Sequence, residues 1–198
     1  ERGLYSTDPN PRVGCVLVKH GSVVGEGWHQ VAGGPHAEIH ALHAAGAQAR
    51  GATAYVSLEP CCHHGKTPPC TDALIAAGIS RVVAAMLDPN PQVSGKGLQQ
   101  LRAAGIEVES GALEAHDSQA TVLNCGFVQR MRQGRPFVRC KMAMSLDGRS
   151  ALANGRSQWI TGPAARLDVQ HWRARSSAIL TGIGTVLADD PSLTVRIE

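Results

Sequence analysis

Aromatic residues and runs of one charge are scarce in this 198-residue sequence. Phe, Tyr and Trp together make up 4% of the chain, and the formal net charge at pH 7 is only +3. Proteins that bind single-stranded nucleic acid stack bases on aromatic side chains along a basic groove, so this composition favours a small anionic ligand over a polynucleotide. The chain also lacks an apolar run of the roughly 18 to 20 residues that a membrane-spanning helix needs. We therefore expect a soluble globular protein with neither a nucleic acid nor a membrane as its partner.

The six cysteines do not follow the pattern of a disulfide framework, because they are irregularly spaced and two of them are adjacent. This usage fits a reducing compartment and a metal site, so we expect a cytoplasmic protein. Cys15, Cys125 and Cys140 lie in apolar runs and are expected to be small buried side chains. The sequence begins at Glu1 and does not decide whether a targeting segment exists. It leaves a monomer and a homo-oligomer both open.

A cluster of metal-binding residue types extends from His36 to Cys70. It reads P-H-A-E around His36 and Glu38, and then E-P-C-C-H-H-G-K-T-P-P-C from Glu59 onward. A histidine two residues before a glutamate, followed by Pro-Cys and a further cysteine, is the signature of zinc-dependent deaminases. Three such ligands leave one zinc position open for water, so we predict that His36, Cys61 and Cys70 bind zinc. Glu38 would be the proton shuttle of a hydrolytic deamination.

The gap between the two cysteines is longer than in the usual signature. Eight residues separate Cys61 from Cys70, and the glycine and prolines among them predict a rigid loop that returns Cys70 to the metal. The loop offers three further potential ligands: Cys62, His63 and His64. One of these could complete a closed structural zinc site, which is the first alternative. The second is a ligand pair at His36 and His40, which have the i, i+4 spacing of one helical face.

Alternating strand and helix patterns predict a layered α/β domain over residues 1–134. Strands are predicted at 13–18, 22–27, 52–58, 81–87 and 106–108. Helices are predicted at 36–50, 71–77, 97–104 and 112–132, the last with Leu123, Phe127 and Met131 on its apolar side. The proposed metal ligands would then lie at helix N-termini and just past a strand end, where α/β proteins gather their sites.

A second unit is predicted over residues 135–198. Its expected elements are strands at 137–143 and 177–181 and a helix at 163–173. A glycine-containing turn, Gly182 to Thr185, is weak support for a phosphate-binding loop. About 65 residues are too few to close the sheet of a dinucleotide-binding domain, so we expect this unit to be incomplete.

Several segments resemble the bifunctional riboflavin-biosynthesis deaminase/reductases. In the first unit they are T-D-P-N-P-R-V-G-C-V-L-V, P-H-A-E-I-H-A-L, E-P-C-C-H-H-G-K-T-P-P-C and D-P-N-P-Q-V-S-G-K-G. In the second unit they are K-M-A-M-S-L-D-G, S-Q-W-I-T and G-I-G-T-V-L-A-D-D-P-S-L-T-V-R. The resemblance implies a cytidine-deaminase-like α/β/α domain, followed by the N-terminal portion of a dihydrofolate-reductase-like α/β domain.

The resemblance also implies substrates and site residues. The first unit would use zinc to deaminate 2,5-diamino-6-ribosylamino-4(3H)-pyrimidinone 5′-phosphate, and the complete protein would then reduce the ribosyl side chain with NADPH. Family motifs assign contacts with the deaminase substrate to Asn10, His29 and Lys66, with Lys66 placed to meet the phosphate. They assign NADP contacts to Ala143, Trp159, Thr185 and Asp189. They assign contacts with the reductase substrate to Ser157, Arg173, Leu193 and Arg196.

Two rival hypotheses remain, a tRNA or other nucleic-acid deaminase and a zinc-stabilised binding module without turnover. The first calls for a basic, aromatic-bearing surface and usually a short cysteine gap, and the sequence has neither. The second gives no reason for an acid such as Glu38 beside a metal ligand. A zinc-dependent deaminase of a pyrimidine nucleotide is therefore the function that we expect.

Overall fold

The structure, a computed structural model of the protein, describes residues 1–111 and 119–197. The chain divides into two compact units, Glu1–Phe137 and Val138–Glu198. Among the residues described, none of the helices has the length and apolarity that crossing a bilayer requires.

The first unit is built on a five-stranded mixed sheet. Its strands are β1 (Gly14–Lys19), β2 (Ser22–Trp28), β3 (Thr53–Val56), β4 (Arg81–Ala84) and β5 (Glu107–Ser110). The strand order is β2-β1-β3-β4-β5, with β1 antiparallel to β2 and β3, and with β3, β4 and β5 parallel. Each predicted strand is present, and the layered α/β prediction is confirmed.

The first unit has helices between and after its strands, and one helix connects each consecutive pair of parallel strands. They are α1 (Ala37–Ala45), the 3₁₀-helix Gly46–Ala49, α2 (Cys70–Ala76), α3 (Lys96–Ala103), α4 (Gln119–Leu123) and α5 (Cys125–Gln133). The prediction of helices at 36–50, 71–77 and 97–104 is confirmed, with small shifts at their ends.

Helix α1 packs unusually close to β2. A Cβ atom added at Gly25 would come 2.4 Å from the carbonyl oxygen of Ala41, and one added at Gly27 would come 2.2 Å from that of Ala37. Glycine on the strand and alanine on the helix therefore allow backbone to approach backbone. This packing fixes the first turn of α1, which carries Glu38, against the sheet.

The hydrophobic core lies between the sheet and its helices. Its largest fully buried members are Leu17, Leu74, Val82, Leu98 and Leu101. Each such side chain stabilises the fold by about 1.5 to 3 kcal/mol relative to an exposed one.

The last predicted helix of this unit differs from the prediction. Its expected start at 112–118 lies outside the described residues, and from residue 119 onward Asn124 divides it into α4 and α5. The buried side chains are Ala120, Asn124 and Val128, whereas the predicted apolar side at 123, 127 and 131 is only half-buried. Asn124 takes an inner position because its side chain accepts a hydrogen bond from the Arg12 N–H (2.7 Å) and donates one to the Arg12 carbonyl (3.1 Å).

The second unit contains α6 (Pro163–Ala174) and α7 (Ile183–Asp189). The helix predicted at 163–173 is confirmed, with Pro163 at its first position. The strands predicted at 137–143 and 177–181 are wrong, since no strand occurs within residues 138–197. No residue of that range is buried, so these apolar runs have neither a pairing strand nor a core to pack on.

The three cysteines predicted to be buried differ in their exposure. Cys15 on β1 is buried as expected, Cys125 is half-buried and Cys140 is exposed. The expectation is wrong for Cys140 because the apolar run around it forms no strand.

Candidate metal centre and its pocket

Three potential metal ligands from separate elements converge at one edge of the sheet. His36 is the N-cap of α1, Cys61 follows β3, and Cys70 is the first residue of α2. Nδ1 of His36 lies 3.2 Å from Sγ of Cys70 and 3.5 Å from Sγ of Cys61. All three ligand atoms lie within 4.8 Å of one another. Tetrahedral zinc with bonds of about 2.0 to 2.3 Å holds its ligands roughly 3.3 to 3.8 Å apart, so this group fits the ion.

Hydrogen bonds around the cysteine loop hold the ligands in place. The Cys70 N–H donates to Sγ of Cys61 (3.4 Å), and the Thr71 N–H donates to the Cys61 carbonyl (3.2 Å). The hydroxyl of Thr67 lies 3.5 Å from Nε2 of His36, so the ring directs Nδ1 at the sulfurs. The cysteine loop therefore returns Cys70 to the side of Cys61 and His36, as predicted.

The two rival ligand sets receive no support. Within residues 1–111 and 119–197, the only group of three or more potential ligands is His36, Cys61 and Cys70. It contains neither His40 nor a fourth ligand from the cysteine loop. An open coordination position, as a hydrolytic zinc site needs, is therefore compatible with the arrangement.

Hydrogen bonds among the three ligand side chains shift the pKa of each of them. Hydrogen bonds from Cys70 and His36 lower the pKa of Cys61, whereas the hydrogen bond to Cys61, together with burial, raises the pKa of Cys70. The hydrogen bond with Cys61 raises the pKa of His36. A cation bound among them takes the place of these protons, because thiolates and neutral imidazole are the metal-binding forms.

Glu38 is buried beside this group, in the first turn of α1, with 2% of its surface exposed. Its Oε2 atom is buried and has no hydrogen-bond partner among the described residues. Burial raises the pKa of Glu38 to about 7. A carboxylate that titrates near neutral pH, with one oxygen free for a further partner, has the properties of a general acid and base.

A cavity of about 310 Å³ opens at the metal group. Six of the seven residues predicted for the deaminase site line this cavity: Asn10, His29, His36, Glu38, Cys61 and Lys66. Cys70 is fully buried behind them. The cavity is therefore large enough to hold a small molecule and has the metal group and Lys66 in its wall.

The wall also contains residues that sequence reasoning missed. They include Glu59, His63, Asp88, Asn90, Phe127 and Arg130. Burial raises the pKa of Asp88 to about 6. The D-P-N-P turn was an available signal for Asp88 and Asn90, but nothing in the sequence indicates that this turn faces the metal ligands.

The eight residues predicted for the reductase are dispersed within the second unit. Ser157 and Trp159 line a separate cavity of about 370 Å³. Arg173 and Arg196 both donate to the Ser192 carbonyl, at 3.2 and 3.3 Å. The other four do not line that cavity: Ala143, Thr185, Asp189 and Leu193. Their assignments remain predictions.

The fold and the metal group define a zinc-binding domain of the cytidine and deoxycytidylate deaminase class. Residues 2–86 match the family model "Cytidine and deoxycytidylate deaminase zinc-binding region", and residues 136–198 match "RibD C-terminal domain". The chain is 63% identical to riboflavin biosynthesis protein RibD of Escherichia coli (strain K12) over 99% of its length and 53% of that relative. It is 62% identical to RibD of Haemophilus influenzae, over 98% of the chain and 52% of the relative.

Solved structures agree with this assignment. Acinetobacter baumannii RibD, form 1, matches with a TM-score of 0.93 and 61% identity, over 99% of this chain and 54% of that one. The diaminohydroxyphosphoribosylaminopyrimidine deaminase/5-amino-6-(5-phosphoribosylamino)uracil reductase of Thermotoga maritima matches with a TM-score of 0.91 and 47% identity, over 100% of this chain and 56% of that one. The chain belongs to the RibD family, and it spans about half the length of the curated relatives it matches.

Proposed function

We propose that the first unit is a zinc-dependent deaminase of riboflavin biosynthesis, acting on 2,5-diamino-6-ribosylamino-4(3H)-pyrimidinone 5′-phosphate. One observation carries the proposal. Three ligand atoms that lie within 4.8 Å of one another adjoin a buried carboxylate oxygen that has no partner among the described residues. The name of the Thermotoga maritima relative supports the choice of substrate.

His36, Cys61 and Cys70 would hold the zinc ion. Bound zinc lowers the pKa of water and so supplies a nucleophile at neutral pH. Glu38 accepts a proton as water attacks the ring carbon that bears the amino group, and then delivers that proton to the ring nitrogen or the departing amine. Its pKa of about 7 suits both directions of transfer. The products are a carbonyl compound and ammonia.

The remaining cavity residues would bind and orient the substrate. Asn10 and His29 contact the pyrimidine or the ribose, and Lys66 meets the phosphate. All three line the same cavity as Glu38. Lysine suits a phosphate monoester because its ammonium group is a compact point charge on a flexible stem.

In the complete protein, the second unit would contribute to an NADPH-dependent reductase that acts on the deaminated product. The match to the RibD C-terminal domain over residues 136–198 supports this role. A cytoplasmic location fits both the six free cysteines and a pathway that uses soluble nucleotides.

The deaminase proposal is tested with Glu38→Gln, which keeps the size of the side chain but cannot shuttle a proton. We expect one zinc per chain and an unchanged fold, with ammonia release from the diaminopyrimidine phosphate lost. Zinc content by mass spectrometry and an ammonia assay on the same samples separate the two effects. Unchanged ammonia release would remove Glu38 from the mechanism, and zinc binding without any turnover by the unsubstituted chain would favour the binding-module alternative.

A further inference from the structure

Glu59 lines the cavity and is close in sequence to one of the proposed metal ligands. It is two residues before Cys61 and is only 3% exposed. Its N–H donates to the carbonyl of Met86 (3.0 Å), which extends the pairing of β3 and β4 beyond the ends of both strands. The backbone that leads into the metal ligand is therefore fixed at Glu59.

The carboxylate of Glu59 accepts four backbone hydrogen bonds, two on each oxygen. Oε2 accepts from the N–H groups of Asp88 (3.1 Å) and Gly95 (2.8 Å). Oε1 accepts from those of Gly97 (3.0 Å) and Leu98 (3.3 Å). The last two belong to the first turn of α3, where N–H groups have no partner inside the helix and favour a negative charge. Because each oxygen of this carboxylate accepts two hydrogen bonds, the side chain is held in one orientation.

Helix α3 also contacts the metal-binding segment directly. A Cβ atom added at Gly97 would come 2.1 Å from the carbonyl oxygen of Pro60, so the helix backbone lies against the residue that precedes Cys61. One turn later, Gln100 accepts a hydrogen bond from the hydroxyl of Thr71 (3.0 Å), the residue after Cys70. The same helix thus supports the segments of both thiolate ligands.

The loop that Glu59 holds forms part of the cavity wall. Asp88 and Asn90 line the cavity, and the Asn90 N–H donates to Oδ1 of Asp88 (2.8 Å). Because the Asp88 N–H is bound to Glu59, a displacement of the carboxylate would move the wall and the approach to Cys61 together.

We propose that Glu59 is a positioning residue that couples the Cys61 ligand to the wall formed by residues 88–95. Zinc affinity and substrate affinity then depend on the same carboxylate. Glu59 affects zinc affinity through the position of Cys61, and it affects substrate affinity through the position of Asp88. The proposal extends the function proposed for the first unit and rests on it.

The test is Glu59→Gln in the full 198-residue chain. The glutamine has nearly the same shape, but its amide nitrogen donates, so two of the four N–H groups lose their acceptor. We expect the zinc dissociation constant, measured by competition with a chromophoric chelator, to rise by about 10- to 100-fold, as is typical of groups that orient metal ligands. The cobalt-substituted protein should also change its thiolate-to-metal absorption, which reports ligand geometry. At saturating zinc, KM for the diaminopyrimidine phosphate should still be raised.

A matched control separates positioning from a general loss of stability. Val82→Ala truncates a fully buried side chain of β4 that belongs to the core cluster, and none of the buried residues of that cluster is a metal ligand. At a comparable loss of melting temperature, it should leave zinc affinity and the cobalt spectrum unchanged. Equal zinc affinity in Glu59→Gln and the parent chain, or an equal loss in Val82→Ala, would overturn the proposal.

Two further results keep the proposal falsifiable. If Glu59→Gln does not fold, Glu59→Asp keeps the charge at α3 but withdraws it by one methylene, and it should show a smaller rise in the zinc dissociation constant. An Asp variant with parental zinc affinity and parental KM would refute the positioning role. Failure of the parent chain to bind zinc would instead refute the function proposed above, so the two failures are distinguishable.

Discussion

The side-chain nitrogen of Asn10 lies 3.0 Å from Nε2 of His29, and on the other side of the ring Nδ1 lies 3.0 Å from the carbonyl oxygen of Pro35. Because a carbonyl oxygen can only accept, Nδ1 carries the hydrogen of the ring and Nε2 accepts from Asn10. Burial lowers the pKa of His29, in agreement with a neutral imidazole. His29 therefore presents a fixed, uncharged ring to the cavity, edge-on to His36.

Asn10→Asp should favour the positively charged form of His29 over the neutral form. A carboxylate beside Nε2 favours the imidazolium form, so the pKa of His29 should rise. An NMR titration of the imidazole signals measures the shift. Asn10→Ala is the control, since it removes the hydrogen bond without adding charge. A similar rise in both variants would contradict the tautomer described above.

The adjacent cysteines should respond differently to the same substitution. Cys61→Ser removes a thiolate that lies 3.5 Å from Nδ1 of His36, and the chain should lose its bound zinc. Cys62→Ser should keep one zinc per chain, because Cys62 does not belong to the ligand group found in the described residues. Zinc content after gel filtration in a weak chelator is the measurement. Loss of zinc from both variants would point to the closed four-ligand site.

Alanine should have opposite effects at two helical glycines. At Gly97 the added methyl group would lie 2.1 Å from the Pro60 oxygen, so we expect a loss of unfolding free energy of about 1 to 3 kcal/mol, as for an overpacked core. Gly126 in α5 has no atom of the described residues within 4 Å of an added Cβ, and Gly126→Ala should stabilise the fold by about 0.5 to 1 kcal/mol. Urea denaturation of both variants tests the pair. Equal effects would show that α3 can move away from Pro60.

Asp88 should make stability fall as the pH rises. Burial raises the pKa of Asp88 to about 6, whereas an unfolded chain has a value of about 3.9. The folded protein therefore retains a proton that the unfolded chain releases between about pH 4 and 6, and the unfolding free energy decreases across that window by up to about 3 kcal/mol.

Asp88→Asn should remove this dependence, since it cannot ionise and keeps an oxygen to accept from the Asn90 N–H. The variant should match the parent near pH 4 and exceed its stability by about 2 to 3 kcal/mol near pH 7. Urea denaturation of both proteins between pH 4.5 and 7.5 gives the difference, in which other titrations cancel. A constant difference across this range would show that the pKa of Asp88 is not raised.

Hydrogen exchange should differ sharply between the two units of this chain. No residue in the range 138–197 is buried, whereas the first unit has a core that includes Leu17 and Leu74. Amides of β1 and β3 should be protected to near the global unfolding free energy, and those of residues 138–197 should exchange rapidly outside α6 and α7. Hydrogen exchange monitored by mass spectrometry measures the protection of both sets of amides in one sample. Strong protection at 137–143 would restore the strand predicted there.

Local patterns were sufficient to predict most of the first unit. The β-branched run at 13–18 pairs with the strand that follows it in the sequence. The helices are bounded by glycines within their own segments. Short stretches of sequence are therefore enough to predict both. The similar apolar runs at 137–143 and 177–181 form no strand, because a strand needs a partner and these runs have none in the described part of their unit.

The site was predictable only as far as its motif extended. His36, Cys61 and Cys70 belong to a signature whose chemistry requires convergence, and the structure brings them together. Glu59 and Asn124 act through hydrogen bonds to residues 29 to 39 and 112 positions away. Spacing along the chain cannot indicate such partners, so these two roles become visible only in the folded protein.

The paired hydrogen bonds between Asn124 and Arg12 have a consequence for the order in which the protein is made. They hold the segment that carries Asn10, and they join it to a helix synthesised well after Cys70. As the chain leaves the ribosome, His36, Cys61 and Cys70 are therefore all available before Asn124 has been synthesised and can bind Arg12. A nascent chain can therefore bind its metal before Asn124 holds the segment of the cavity wall that carries Asn10.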